Sequence, residues 1–207
     1  MFKIAVLASG SGTDLQSIID AIENKYMDVK IEAVISDKEG IYALERADKH
    51  GIKTYTFDRK IYGSSISDEI LKVTCGKVDL IVLAGWLSIL KGELIEKFKG
   101  KIINIHPSLI PSFCGNGMYG LKVHEKAVEY GVKISGCTVH FVDDGTDTGP
   151  IIIQKAVPVY QDDTAETLQK RVLEQEHIIL PEAVKLISEG RVKIDGRKVI
   201  IGGLTPW

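Results

Sequence analysis

The sequence predicts an α/β protein of the Rossmann-like, doubly wound kind: a mostly parallel sheet with helices on both faces. Three observations carry that prediction. Short apolar runs alternate with helical patterns through the first 105 residues. Two of those runs, Asp79–Ala84 and Lys101–Ile105, show almost no polar alternation, as expected of parallel strands covered on both faces. The first run passes through a glycine turn directly into a helix, the opening of a βαβα order.

Taken in order, Phe2–Ala8 is a compact β-type run, and Leu15, Ile18, Ile19 and Ile22 then recur with the period of a helix that buries one face. Val29–Ser36 reads as a strand, Ile41–His50 as a helix stopped by Gly51, and Ile52–Phe57 as a strand. Ser65–Cys75 predicts a helix, and a short helix around Leu90–Phe98 separates the two buried strands. Ser108–Gly120, rich in proline and glycine, reads as a long loop, followed by a helix over Leu121–Tyr130 that ends at Gly131. Lys133–Val142 and Pro150–Val159 are β-rich runs joined by the polar loop Asp143–Gly149. Thr164–Glu189 predicts a long helix broken at Pro181, and Val192–Ile201 folds back on an Asp195-Gly196 turn. No repeat or linker divides the chain, so residues 1–207 are expected to form one domain, with halves at 1–105 and 106–207.

Composition excludes several classes. With 44% hydrophobic and 26% charged side chains, 207 residues suffice to bury a core, which rules out a disordered tail or a stapled mini-protein. Lys and Arg total 26 against 28 Asp and Glu, a net charge of −2, so no basic surface invites nucleic acid. Cys75, Cys114 and Cys137 form no Cys-x-x-Cys pair and fit a reducing cytoplasm as structural thiols. Neither an export signal nor a run long enough to span a bilayer is present, so the expectation is a cytoplasmic protein without a membrane partner.

In an open parallel sheet, ligands bind beyond the carboxyl ends of the strands. Three segments are placed there. Gly10, Ser11, Gly12 and Thr13 follow the first strand and open the first helix, where backbone N–H groups and the helix dipole suit a phosphate; an ordinary glycine turn is the competing reading. Leu15 occupies the place of the third glycine of a dinucleotide fingerprint, and Asp14 puts a negative charge beside the phosphate position. Trp86, Leu87, Ser88, Ile89 and Leu90 follow the fourth strand as an exposed aromatic and aliphatic cluster suited to a flat heterocycle, with core packing as the alternative. Asn104 and His106 share one face of the fifth strand, and Pro107 keeps His106 extended. An amide donor beside a group that moves protons near neutral pH, with a later acidic loop at Asp143, Asp144 and Asp147, points to a catalytic cluster. Gly115-Asn116-Gly117-Met118-Tyr119-Gly120 meets the dinucleotide spacing but follows a proline-rich loop, so it reads as a mobile surface loop.

Together, SGSGT at Ser9–Thr13, LAGWLSIL at Leu83–Leu90, INIHPSLIPSF at Ile103–Phe113, VHFVDDGTDTGPIIIQ at Val139–Gln154 and QEHIILP at Gln175–Pro181 resemble the glycinamide ribonucleotide formyltransferases. These are a branch of the folate-dependent formyltransferase superfamily, and the likeness runs nearly end to end. The resemblance implies the formyltransferase fold and transfer of the formyl group of 10-formyltetrahydrofolate to the glycine amine of glycinamide ribonucleotide, in purine synthesis. It implies Asn104, His106 and Asp147 as catalytic groups, and Gly10, Ser11, Gly12, Thr13, Asp14 and Glu176 as the ribonucleotide site. Trp86–Leu90 with Val142, Asp143, Asp144, Gly145 and Thr146 match the folate pocket, and no metal is implied. There are departures: Ser88 replaces an Arg of many members, no Arg equivalent stands near Tyr62, Asp14 replaces the usual Asn, and the loop at Asn116–Gly120 is an extended version.

The expected chemistry is attack of an amine on a formyl carbon, with Asn104 and protonated His106 stabilising the oxyanion. Asp147 beside His106 is expected to raise the imidazole pKa and keep the imidazolium present near pH 7. His50, His124, His140 and His177 are scattered without ligand spacing, and His140, mid-strand, reads as a core or supporting residue. The rivals are a formyltetrahydrofolate hydrolase, which normally carries an additional amino-terminal domain, an NAD-dependent oxidoreductase, and a non-catalytic folate or nucleotide binder. The partners expected are the two small substrates, with the chain a monomer or weak homodimer.

Overall fold

A computed structural model describes residues 1–203; the last four residues of the expected 1–207 unit lie outside the described residues. Strands β1 (Phe2–Ala8), β2 (Val29–Ser36), β3 (Thr54–Thr56), β4 (Leu80–Leu83), β5 (Ile102–His106), β6 (Ile134–Phe141) and β7 (Ile151–Pro158) form one sheet in the order β3-β2-β1-β4-β5-β6-β7. Pairing is parallel from β3 through β5 and antiparallel at β5–β6 and β6–β7. The chain winds outward from β1 in both directions, so the carboxyl ends of β1 and β4 diverge into a crevice.

The apolar runs alternate between two cores, as side chains of a strand must. Ile4, Val6 and Ala8 join Val82, Ile103 and Ile105 on one face, covered by α1 (Thr13–Glu23) and α7 (Ala165–Ser188) through Leu15, Ile18, Leu168 and Val172. Ala5 and Leu7 join Ile35, Ile81 and Ile102 on the other, covered by α4 (Ile66–Thr74) and α5 (Glu93–Lys97). α2 (Tyr42–Lys49), the one-turn α3 (Arg59–Tyr62) and α6 (Leu121–Tyr130) complete the layers. Among the described residues, no helix is long and apolar enough to cross a membrane.

Two expectations change. The helix over Thr164–Glu189 is not broken at Pro181; α7 runs unbroken through it. The missing N–H of Pro181 costs the backbone a hydrogen bond, but α7 is held against the sheet along its length by buried residues, Pro181 among them, and starts on a capping box between Thr164 and Thr167. The final hairpin, β8 (Val192–Asp195) with β9 (Lys198–Ile201), turns at Gly196-Arg197, one residue later than the sequence suggested, because Asp195 pairs with Lys198. Gly196, at φ 58, supplies the positive φ at the first turn position.

Candidate active site

A cavity of about 520 Å³ opens at the carboxyl ends of β4, β5 and β6. Its walls include Trp86, Leu87, Ser88, Ile89 and Leu90 on one side and Val142, Asp143, Asp144, Gly145 and Thr146 on the other, so both segments of the expected folate pocket line it. The sequence left exposure and core packing open for Trp86–Leu90, and the structure divides the segment between them. Trp86 (9% exposed) and Leu90 (8%) pack into the second core, whereas Leu87 (45%) and Ile89 (66%) stand open. An apolar wall facing a polar loop fits a flat heterocycle with hydrogen-bonding edges.

Asn104, His106 and Asp147 meet in this cavity, organised by a fourth residue, His140. Asn104 lies opposite His140 in the β5–β6 pairing, with Nδ2 3.2 Å from His140 Nε2. His140 Nδ1 donates to the Phe141 carbonyl at 2.8 Å, so in the neutral ring Nε2 is an acceptor and fixes which way the Asn104 amide points. Asp147 faces both rings: Oδ2 is 3.5 Å from His106 Nδ1 and Oδ1 is 3.6 Å from His140 Nε2. Asp147 has φ 57, a left-handed conformation that Asp tolerates better than most residues and that sits here at the end of a tight loop. The sequence reading gave His140 only a core or supporting place; its pairing with Asn104 depends on strand register, which no local pattern carries.

The segment Gly115–Gly120, expected as a mobile surface loop, has Asn116 and Tyr119 exposed and also walls the cavity, and the Gly115 N–H donates to Asp147 Oδ2 at 2.9 Å. His106 Nε2 donates to the Phe113 carbonyl, just before that segment, at 3.0 Å. The expected persistence of the imidazolium also gives way. His106 is only 4% exposed, and burial lowers its pKa by more than Asp147 and the Phe113 carbonyl raise it. Burial pushes Asp147 upward too, but the neighbouring His140 and His106 rings and the Gly115 N–H outweigh it and leave Asp147 below its usual range. The resting pair is therefore an ionised carboxylate beside a mostly neutral imidazole.

Behind them His124, on α6, is 1% exposed, and its Nδ1 has no partner. Burial, and then the charge of His106, push it from 6.5 down to about 4. The neutral ring therefore stabilises the fold above about pH 6.5, and that stability is lost as pH falls toward 4. From about pH 7.5 to pH 5 the loss should be roughly 1–2 kcal/mol. Urea unfolding at both pH values should find that His124→Leu flattens this slope; an unchanged slope would exclude His124 as its source.

The glycine turn lies next to the cavity. The Ser9 N–H donates to the Gly85 carbonyl at 3.1 Å, and the Leu87 N–H to Ser9 Oγ at 2.9 Å, so the end of β1 is tied to the Trp86–Leu90 wall. Gly12, at φ 70, precedes α1 with no side-chain cap, which leaves first-turn N–H groups without an intrahelical partner. Glu176, distant in sequence, is brought to the α1–α7 interface near Asp14. Two residues missed in the sequence join this region. Arg46, on α2, donates Nε to the Ser11 carbonyl and Nη1 to Gln16, both at 3.0 Å. His177 lies 3.8 Å from Asp14 Oδ1. Thr13, Gln16, Ser17, Asp20, Arg46 and His177 line a depression of about 340 Å³. Asp37, just past β2 where a dinucleotide fold would place its ribose-binding acid, is fully buried and accepts from Ser88 Oγ at 2.5 Å.

Residues 2–184 match the Formyl transferase family. The chain is 40% identical over 209 residues to phosphoribosylglycinamide formyltransferase of Haemophilus influenzae, covering 98% of this chain and 95% of that protein. It is 44% identical over 197 residues to the trifunctional purine biosynthetic protein adenosine-3 of Gallus gallus; that match covers 93% of this chain but only 19% of the relative's length. The crystal structure of glycinamide ribonucleotide transformylase 1 from Symbiobacterium toebii superposes with a TM-score of 0.88 at 43% identity, covering 97% of this chain and 94% of that one. With the family match spanning the sheet, the cavity and the glycine turn, the chain belongs to the formyl transferase family.

Proposed function

We propose that this chain transfers the formyl group of 10-formyltetrahydrofolate to the glycine amine of glycinamide ribonucleotide, giving formylglycinamide ribonucleotide and tetrahydrofolate in purine synthesis. The observation that carries this reading is the adjacency of two sites tied together through Ser9. One is an uncapped helix start suited to a phosphate; the other is a heterocycle-sized cavity ending on Asn104, His106 and Asp147. A transferase needs donor and acceptor side by side, which a hydrolase acting on water does not. The buried, Ser88-bonded Asp37 and Leu15 in place of a third glycine both count against a dinucleotide.

In this reading the phosphate rests on Gly10, Ser11, Gly12 and Thr13, with Asp14 and Glu176 beneath the ribonucleotide. The heterocycle lies between Trp86–Leu90 and Val142–Thr146. As the amine attacks the formyl carbon, negative charge grows on the formyl oxygen, and the free N–H of Asn104 is the donor held ready for it. The new negative charge adds to that of Asp147 and favours a second proton on His106 at Nδ1, taken from the ammonium that the attack creates; that proton passes to the folate nitrogen as its bond to the formyl carbon breaks and tetrahydrofolate leaves. The imidazolium thus gains most in the transition state, where stabilisation accelerates the reaction. Nε2 of His106 reaches the formyl oxygen as the Phe113 carbonyl gives it up.

The purified protein should turn over the two substrates, followed by absorbance of the folate product. A folded protein without turnover would overturn the reading.

A further inference from the structure

Asp14 and Glu176 are 9% and 7% exposed, in the packing between α1 and α7. Asp14 Oδ1 is buried without a hydrogen-bond partner; the group nearest to a counter-charge is His177 Nε2 at 3.8 Å, itself unpartnered. The surrounding titratable groups offer little more. β6 presents the buried Cys137 thiol, pushed up first by burial and then by both acids, and β7 carries Lys155, exposed and close enough to act on Cys137. Asp20 of α1 and Arg46 of α2 act on His177, and Arg46 is committed to Ser11 and Gln16. Two ionised carboxylates here would form a like-charged pair with no buried cation between them among the described residues, an arrangement proteins relieve by keeping a proton. Glu176 is accordingly held well above the usual carboxylate range, by burial and then by Asp14, and burial raises Asp14 to about 6.

Asp14 stands in the uncapped first turn of α1 and Glu176 is buried on α7, each next in the chain to a residue, Thr13 or His177, that lines the depression. A phosphate dianion there brings a further negative charge next to Asp14. An ionised Asp14 repels it, whereas a protonated Asp14 does not and becomes an O–H donor. We propose that Asp14 and Glu176 hold one proton between them in the free protein and take up a second from bulk water when the ribonucleotide phosphate binds, so that ribonucleotide binding is proton-coupled. This rests on the ribonucleotide reading above and adds to it a role for the buried Asp14 carboxyl.

The test is calorimetric titration of the full-length protein with glycinamide ribonucleotide in two buffers of different ionisation enthalpy, for wild type and the near-isosteric Asp14→Asn. The ligand's own phosphate titration is common to both proteins and cancels in the difference. Wild type should take up a fraction of a proton more than the variant, and its Kd should weaken by about tenfold from pH 6 to pH 8, the limit for one proton being tenfold per pH unit. Asp14→Asn should bind several-fold more tightly than wild type at the higher pH. A second readout is stability. Because the Asp14 pKa is raised in the fold, its favourable contribution is present below 3.8 and lost as pH rises through about 6. Asp14→Asn should therefore gain stability over wild type across that window. Equal proton counts in the two proteins would overturn the proposal, as would failure of both to bind. Inorganic phosphate separates the two readings. Proton uptake with phosphate but no formyl transfer would keep the pair and reject the transferase; turnover with equal proton counts would do the reverse.

Discussion

His106→Ala is expected to lower kcat by about 10³-fold while leaving affinity for glycinamide ribonucleotide within roughly twofold. The ring is buried at the inner end of the cavity and faces an acceptor on each side, Phe113 through Nε2 and Asp147 through Nδ1. Burial keeps it mostly neutral at rest, so its charged form is favoured only when the substrate supplies negative charge. Removing a group used in this way lowers kcat and kcat/KM together and leaves ground-state binding alone. Asp147→Asn should follow at about 10²- to 10³-fold, because an amide of the same shape provides no charge for a protonated ring. Steady-state kinetics with circular dichroism as the folding check separates the outcomes. Wild-type kcat in Asp147→Asn would remove Asp147 from the mechanism, and a raised KM with unchanged kcat in His106→Ala would make His106 a binding group.

Gly12→Ala is expected to have the opposite kinetic signature, raising the KM for the ribonucleotide by about 10²-fold with a much smaller change in kcat. Gly12 is held at φ 70, which costs an L-residue about 1–2 kcal/mol. A Cβ there would lie 2.7 Å from both Cα and Cβ of Ala43, at the start of α2. Ala43 is fully buried, and its N–H donates to the Gly10 carbonyl at 3.2 Å, so relieving the overlap displaces the turn itself. The Thr13 and Asp14 amides move with it. A phosphate held by several converging N–H groups loses most of its binding when they are misaligned. The same variant should lose about 2–3 kcal/mol of stability, read by urea unfolding. A folded Gly12→Ala protein with unchanged KM would show that the phosphate does not rest on this turn.

Much of the fold is legible in the sequence because strands and helices announce themselves through local period. β1 and β2 fall on Phe2–Ala8 and Val29–Ser36 as read, and the glycine turn opens a helix where expected. Asn104 and His106 share a face because two residues along a strand must. Pro181 misled, since proline breaks a helix by local chemistry but burial along α7 holds it intact. For Trp86–Leu90 the sequence left exposure and core packing open, and only the packing against the second core decides that Trp86 is buried while Leu87 is not.

The sequence by itself determined the element order, the glycine turn and the side chains capable of the chemistry, because each depends on neighbours a few residues away. Tertiary structure alone decided how those side chains work. His140 orients Asn104 from 36 residues away through an antiparallel register. Gly115 and Phe113, in the long loop after β5, bond to Asp147 and His106. Burial, which no local pattern reports, lowers His106 when its partner alone would raise it. The packing of α1 against α7 also brings Asp14 and Glu176, far apart in the sequence, together as buried acids.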